Sequence, residues 1–372
     1  MNIVVIARGL PTKEDSMNGI FEWDQAKALS RFGHKVIYVA LDCRSFRHKR
    51  ELGLSHQNID GVEVFNYNIY LGRVPMFLRD ALCLKAFDRI LKNILKTTKI
   101  DIIHAHFART LGVEALYAKQ KYGIDYIVTE HESIVNNNLV SKAEREQLYE
   151  IYGNAKDCIA VSPTFCNKLK KMYNVIFNYV PNIVDYEVFA QVEKQKHEGV
   201  NIVSVGNLTK NKSMDVAIRA FSKVKECCNI GTFTIIGNGS EKEQLKQLAQ
   251  EFNVADSIVF TGNLSRAKIA QHYAKSDIFV LASKSETFGV AYIEAMCAGL
   301  PVIATKCGGP EGLFTENEGL YVDVDDVDGL ANAIMYIAKN LDNYDANSIR
   351  NFCLSNFSAE IVAKQITEII NR

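Results

Sequence analysis

Short apolar runs punctuate the chain. Each leads through a polar or glycine-bearing turn into a segment whose apolar residues recur every three or four positions. Continuous apolar runs bounded by turn residues mark strands buried on both faces, and the three-to-four spacing marks helices. In the first half this pattern predicts strands at 2–7, 34–41, 101–106, 126–129 and 158–162, the last clear strand of that half. It predicts helices there at 21–32, 74–96, 109–122 and 163–173. In the second half the predicted strands are 202–206, 233–236, 258–261, 278–281 and 302–305. The helices are 216–225, 241–252, 290–298 and 329–339, with a last one at 359–371. Parallel strands need a crossover between them, and a helix supplies it, so the alternation predicts an α/β fold with parallel sheets.

The segment 74–96 is the most amphipathic. Phe77, Ala81, Leu84, Phe87, Leu91 and Leu95 fall on one predicted stripe, with Arg79, Lys85, Arg89, Lys92 and Lys96 elsewhere. It reads first as a core-packing helix with a solvated face, because an asparagine and aspartates dilute its basic side. The second reading is a peripheral contact with anionic membrane near a lipid-linked acceptor.

Length and composition narrow the picture. At 372 residues the chain calls for two domains. An apolar fraction of 48% and a charged fraction of 23% are those of a soluble globular protein. The net charge is zero, yet residues 1–180 hold 25 Lys and Arg against 19 Asp and Glu, and the remainder holds 18 against 24. A basic first half suits an anionic partner there, or is ordinary variation between domains. No nucleic-acid partner is expected. The nine cysteines form no C-x-x-C, and the adjacent Cys227 and Cys228 suit neither a zinc site nor a simple disulfide framework. A reducing cytosol is the expected compartment, with the inner face of the membrane as the variant. The opening MNIVVIARGL reads as a strand and turn rather than a signal peptide, and no window of 18 uninterrupted apolar residues occurs. No repeat of 20–50 residues is visible.

The richest stretch is 275–312, KSDIFVLASKSETFGVAYIEAMCAGLPVIATKCGGPEG. It reads as strand, polar loop, helix, strand and a Gly-Gly-Pro turn. The loop brings Glu286, Thr287, Phe288 and Gly289 to the helix start, where free N–H groups and the dipole favour phosphate. Glu294 follows inside the helix. The order carboxylate, anion site, carboxylate matches a nucleotide-sugar: sugar hydroxyls, diphosphate, ribose hydroxyls.

The run SETFGVAYIEAMCAGLPVIAT with the later GGPEG resembles the retaining glycosyltransferases of the glycogen-synthase-like, family 4 (GT4) type, also called glycosyl transferases group 1. The resemblance implies a GT-B fold: α/β, two Rossmann-like domains with parallel sheets facing across a cleft. Residues 1–182 would bind the acceptor and 183–356 the nucleotide-sugar, with a C-terminal helix at about 357–372 packing back on the first domain. VPNIVDYEVF (180–189) resembles the boundary segment of the family, and 190–199 reads as linker.

The resemblance also implies roles. His131, after the strand at 126–129, faces the donor sugar or orients the acceptor. Gly19 brings backbone to the donor diphosphate, although Asn18 stands where the family often has a second glycine. Lys212 matches the lysine of G-R-L-x-x-x-K-G that holds the departing phosphate, with Asn207 in place of the arginine and Ser213 in place of the glycine. Lys210 is a candidate to compensate. Gly237, Gly262 and Asn263 lie in segments whose backbone meets the donor. Thr287, Phe288 and Gly289 serve the diphosphate, Glu286 the donor sugar and Glu294 the ribose. His131, Lys212 and Glu286 form the expected catalytic set. No metal and no other cofactor is implied; the donor is a UDP- or GDP-sugar and the acceptor a glycan or lipid-linked glycan. The setting implied is bacterial surface polysaccharide or lipid-linked glycan synthesis.

Three features offer other readings. Asp323 and Asp325 have the spacing of a metal-binding D-x-D, but read as caps of the helix at 329–339. GNGSEK (237–242) is an incomplete G-x-G-x-x-G and a weak dinucleotide signal. His104 and His106 end a strand and suit either function or simple capping of the sheet. The rival functions are a sugar-nucleotide epimerase or phosphorylase on the same fold, and a non-catalytic nucleotide-binding partner subunit, which Asn207 favours.

Overall fold

The computed structural model describes residues 1–372 apart from 13, 14, 16, 46, 48, 49, 72, 73, 196 and 228, and apart from the side chains of 76 and 77. The Phe77 side chain, Cys228, and positions 46, 48 and 49 of the basic run 44–50 therefore lie outside the described residues. Contacts divide the chain into two compact units. One is Met1–Val161 with Phe165–Ile183 and Ala359–Arg372; the other is Ser162–Thr164 with Val184–Ser358.

The first unit runs β1 (Asn2–Ala7), α1 (Ile20–Arg31), β2 (Lys35–Asp42), β3 (Gly53–Ile59), β4 (Val62–Asn68), α2 (Met76–Ile94), β5 (Ile102–His106) and α3 (Ala108–Tyr122). It continues with β6 (Tyr126–Glu130), α4 (Ser133–Asn136), α5 (Lys142–Asn154), β7 (Asp157–Ala160), α6 (Pro163–Tyr173) and β8 (Phe177–Tyr179). Its sheet has the order β3-β4-β2-β1-β5-β6-β7-β8. All neighbours are parallel except β3, which folds back antiparallel on β4. The strand at 158–162 is thus not the last of this half, since β8 pairs beyond β7. The α2 stripe also differs from its expected place. Cys83, Phe87, Ile90, Leu91 and Ile94 are buried, whereas Ala81 is exposed and Leu84 and Leu95 are half-buried. Leu78 and Leu82 join Lys85 and Arg89 on the exposed side.

The second unit runs α7 (Tyr186–Phe189), β9 (Val200–Val205), α8 (Met214–Cys227), β10 (Ile230–Ile236), α9 (Lys242–Glu251), β11 (Ile258–Gly262) and α10 (Arg266–Tyr273). It continues with β12 (Ile278–Leu281), α11 (Val290–Cys297), β13 (Val302–Thr305), β14 (Gly319–Val322), α12 (Val327–Lys339) and α13 (Ala346–Phe357). Its sheet is wholly parallel, in the order β11-β10-β9-β12-β13-β14. The final helix, α14 (Ala359–Ile370), belongs to the first unit. Val362, Ala363, Ile366, Ile369 and Ile370 join Ala26 and Leu29 of α1 in that unit's core. Among the described residues no helix is long and apolar enough to cross a membrane.

Candidate active site

In the second sheet the chain moves outward from β9 to β10 and β11, then returns to the other side of β9 with β12. Ligands of open α/β sheets settle beyond the carboxyl ends of the strands at such a reversal. The two loops there are 206–213, after β9, and 282–289, after β12. They are tied together: the Asn211 side-chain amide donates to the Ser285 carbonyl at 2.9 Å, and the Lys284 N–H donates to the Asn211 carbonyl at 2.8 Å.

This tie brings Lys212 to Glu286. Lys212 ends a short 3-10 turn, Lys210–Lys212, and its ammonium pairs with Glu286 Oε1. The same oxygen accepts from Ser283 Oγ at 2.7 Å. Both ionic side chains are mostly covered, at 21% and 13% exposure, so their charges are screened less than surface charges. Gly309 permits the close packing of the Gly-Gly-Pro turn on this loop, since a Cβ there would lie 2.6 Å from Glu286 Cβ. Glu311 closes the turn by accepting from the Gly308 N–H at 2.8 Å.

Gly289 caps α11 with φ 107° and no side-chain hydrogen bond. The first N–H groups of α11 are therefore not claimed by a capping side chain, the condition for an anion site. Phe288 is 1% exposed, edge-on to Phe357 at 6.0 Å, so only its backbone is available. Thr287 is half-buried. Glu294, on α11, is buried and lies 3.5 Å from Arg266 Nε; Arg266 Nη1 lies 3.8 Å from Asp185 Oδ2. No sequence pattern marks Arg266, whose partners lie on other elements, or Ser283, whose partner Glu286 lies three residues along the same loop.

The remaining donor-site candidates fall at neighbouring strand ends. Gly237 has φ 144°, and a Cβ there would lie 1.9 Å from the Gly206 carbonyl oxygen, so the turns after β9 and β10 meet through bare backbone. The Gly237 N–H donates to the Gly262 carbonyl at 3.0 Å. A Cβ on Gly262 would meet open space. Asn263, Asn207 and Lys210 are exposed. Asn207, expected from the sequence to stand in place of an arginine, offers an uncharged amide. The Asp323 and Asp325 reading needs correction: the cap of α12 is Asp326, which accepts from the Gly329 N–H at 2.7 Å. Asp323 pairs with Lys306 at 3.2 Å and Asp325 with Lys284 at 2.8 Å. Among the described residues no three His, Cys, Asp or Glu side chains gather around a metal position.

In the first unit the order reverses at β1, between β2 and β5. Gly19 caps α1 at φ 73°, and a Cβ on it would lie 2.2 Å from the Gly9 carbonyl oxygen. Tyr38 Oη donates to that carbonyl at 2.7 Å. His131 follows β6, its Nε2 3.0 Å from His106 Nδ1, and its ring is 4.8 Å from that of Phe107. The Arg8 guanidinium lies 3.1 Å over the Phe107 ring. Burial, then Arg8 and His104, pushes His131 down to about 3. Burial pushes His104 down to about 3, and burial with the neighbouring imidazoles and Arg8 holds His106 well below its ordinary value. All three imidazoles are neutral near pH 7, so His131 offers hydrogen bonds and no positive charge. His104 Nε2 lies 2.7 Å from Thr129 Oγ1 within the sheet. Glu130, on the His131 turn, accepts from the His131 and Glu132 N–H groups at 2.9 and 2.8 Å and from Tyr152 Oη at 2.7 Å.

Comparison with known proteins bears on the family and the fold. Residues 185–351 match the family described as Glycosyl transferases group 1, and residues 23–188 match Glycosyltransferase Family 4. The chain is 24% identical over 339 residues to N-acetyl-alpha-D-glucosaminyl L-malate synthase of Bacillus anthracis, covering 87% of this chain and 84% of that protein. Among solved structures, sucrose-phosphate synthase from Thermosynechococcus elongatus superposes with a TM-score of 0.82 at 20% identity, over 100% of this chain and 98% of that one. HepE of Anabaena, in complex with UDP, superposes with a TM-score of 0.73 at 17% identity, over 100% and 99%. With family matches running from residue 23 to residue 351 and a shared GT-B architecture, the chain belongs to the family 4 type of glycosyltransferases, the glycosyl transferases group 1.

Proposed function

We propose that the chain moves a sugar from a UDP- or GDP-sugar to an acceptor hydroxyl with retention of anomeric configuration, in the synthesis of a surface polysaccharide or lipid-linked glycan. The observation that carries this reading is the Lys212–Glu286 pair at the β9/β12 reversal, beside a helix start without a capping side chain.

The bond that breaks joins the anomeric carbon to a β-phosphate oxygen, and negative charge grows on that phosphate. The bond that forms joins the same carbon to the acceptor oxygen, whose proton is released. Lys212 and the α11 N–H groups oppose the growing charge. They are aimed before the reaction, so no reorganisation is needed as the charge develops, and one such group is worth roughly 3 kcal/mol. Glu286 holds Lys212 in place and accepts hydrogen bonds from donor-sugar hydroxyls. Glu294, oriented by Arg266, accepts from the ribose. His131 meets a sugar hydroxyl as a neutral imidazole. Gly19, Gly237, Gly262 and Asn263 contribute backbone to the donor.

Asn207 favours a second reading, a non-catalytic nucleotide-binding subunit, because it withdraws a cation from the phosphate. Thermal-shift screening against nucleotide-sugars, followed by NMR of the product with the stabilising donor and a glycan acceptor panel, separates the two. The expected result is one selective donor and a product with the donor's anomeric configuration. Binding without transfer supports the subunit reading; an inverted product, or no stabilising nucleotide, overturns the proposal.

A further inference from the structure

Glu130 is a buried carboxylate that the proposed chemistry leaves without a part. It is the last residue of β6, stands directly before His131 and is 0% exposed. Its Oε1 accepts from two successive backbone N–H groups, that of His131 at 2.9 Å and that of Glu132 at 2.8 Å. Successive N–H groups of this kind form a nest for an anion. Its Oε2 accepts from Tyr152 Oη, on α5, at 2.7 Å. The side chain thus curls back over the turn that it begins. Glu132, on the far side of His131, is anchored as well. Its Oε2 takes Arg109 Nε at 2.6 Å and its Oε1 takes Thr110 Oγ1 at 2.7 Å, both from the start of α3. His131 therefore stands between two fixed carboxylates, while His106 and Phe107 flank its ring.

The donors around Glu130 select its charge state. An ionised carboxylate only accepts, so it suits three donors. A proton on Oε1 would face two backbone N–H groups that cannot turn away. A proton on Oε2 would face the Tyr152 hydroxyl, whose own hydrogen must then leave Glu130, and Tyr152 is 1% exposed. The charged form also makes the stronger hydrogen bonds. Protonation therefore weakens the contacts that hold the turn. Burial and the charge of Glu132 favour protonation and push the carboxyl up to about 7, against the pull of Tyr152 and the two N–H groups. The other titratable groups facing it are Cys158 on β7, Tyr152 on α5 and Tyr173 on α6, and burial pushes all three up. Burial pushes His131 down to about 3, and Arg109 is engaged by Glu132.

We propose that Glu130 is a positioning residue of the transfer reaction: its ionised carboxylate holds the turn after β6, so that His131 keeps its place for the sugar hydroxyl. Glu130 acts through His131 and not on the substrate. The inference rests on the proposed function, which gives His131 its sugar contact.

Amide NMR of the full chain, titrated from about pH 5 to about pH 9, tests the turn without a substrate. The His131 and Glu132 amides should shift together with one midpoint near 7. Glu130→Gln, a neutral isostere, should abolish that titration. Tyr152→Phe removes a donor to the charged form and should raise the midpoint by about one pH unit. It keeps both backbone bonds, so it reads the same carboxylate if Glu130→Gln fails to fold. Turnover is read with UDP-glucose, UDP-N-acetylglucosamine and GDP-mannose as donors and a glycan acceptor panel. The parent's kcat/KM should fall about tenfold from pH 8 to pH 6. Glu130→Gln should stay near the parent's low-pH value, and His131→Ala should lose the pH dependence too. No titration at these amides, a titration that survives in Glu130→Gln, or a pH dependence of kcat/KM that survives in His131→Ala overturns the inference. Turnover of none of the three donors counts against the proposed function, and the amide midpoint then decides the charge-held turn by itself.

Discussion

Lys212 and Glu286 lie 74 positions apart in sequence and share one ion pair. Replacing Lys212 with Ala should lower kcat by roughly 10²–10³-fold while the donor Kd changes far less, because in the proposed mechanism the lysine acts mainly on charge that develops in the transition state. An equal loss in Kd and no loss in kcat would show that the lysine only binds. Glu114, on α3, is a residue without a part in this chemistry that reports on the fold. It is 1% exposed, and burial, with smaller contributions from Cys83 and Asp80, pushes its carboxyl up to about 8. The folded chain holds that proton where the unfolded chain has lost it, above about pH 4.5. This contribution to stability is therefore present below about pH 4.5 and is lost as pH rises towards 8. Glu114→Gln should be more stable than the parent at pH 8, by more than about 1 kcal/mol, with the gain shrinking towards pH 4.5. Urea unfolding at both pH values measures it, and a constant difference across pH would contradict it. The motif glutamates, Lys212 and His131 were legible in sequence because their neighbours along the chain carry the pattern. Arg266 and Arg8 were not, because what marks them is a partner from another element.

At the scale of elements, many strands and helices declared themselves, but helices α5 and α13, of 13 and 12 residues, and the strand β4 did not. Strands β1, β12 and β13 and helix α6 occupy the residues that the apolar pattern predicts. β3 is missed because its residues are exposed on both faces, leaving no apolar run. A signal did exist there: Asp60-Gly61, with φ 51° and 81°, is the two-residue hairpin turn that joins β3 to β4. β8 has three residues, too few for a period. α2 is apolar enough to hold two overlapping stripes, and packing against its neighbours, not its own sequence, selects the one through Cys83 and Ile90. The turn after β10 gives the prediction at this scale. Gly237→Ala drives a methyl into the Gly206 carbonyl, which must displace the loop that carries Lys212. Donor Kd should rise about tenfold or more, with the far-ultraviolet circular dichroism unchanged. Unaltered donor binding would show that the 206–213 loop is not held by this contact.

At the scale of the whole molecule, two sheets each reverse their strand order, at β1 and at β9, and each reversal gathers polar residues at strand ends. The α/β alternation and the two-unit count were visible in the sequence because crossovers impose them. Charge followed a less direct rule. The diphosphate reading falls in the half with more acidic residues, 24 against 18. Salt screens surface charges beyond about 8 Å, so a covered Lys212 and a helix start outweigh the net balance of the half. Amide hydrogen exchange on the full chain, with and without the sugar nucleotide that stabilises it, tests the placement of the donor most directly. Slowed exchange concentrated in 206–213 and 282–294 is the predicted result. A bound donor that leaves both segments exchanging as before would contradict it.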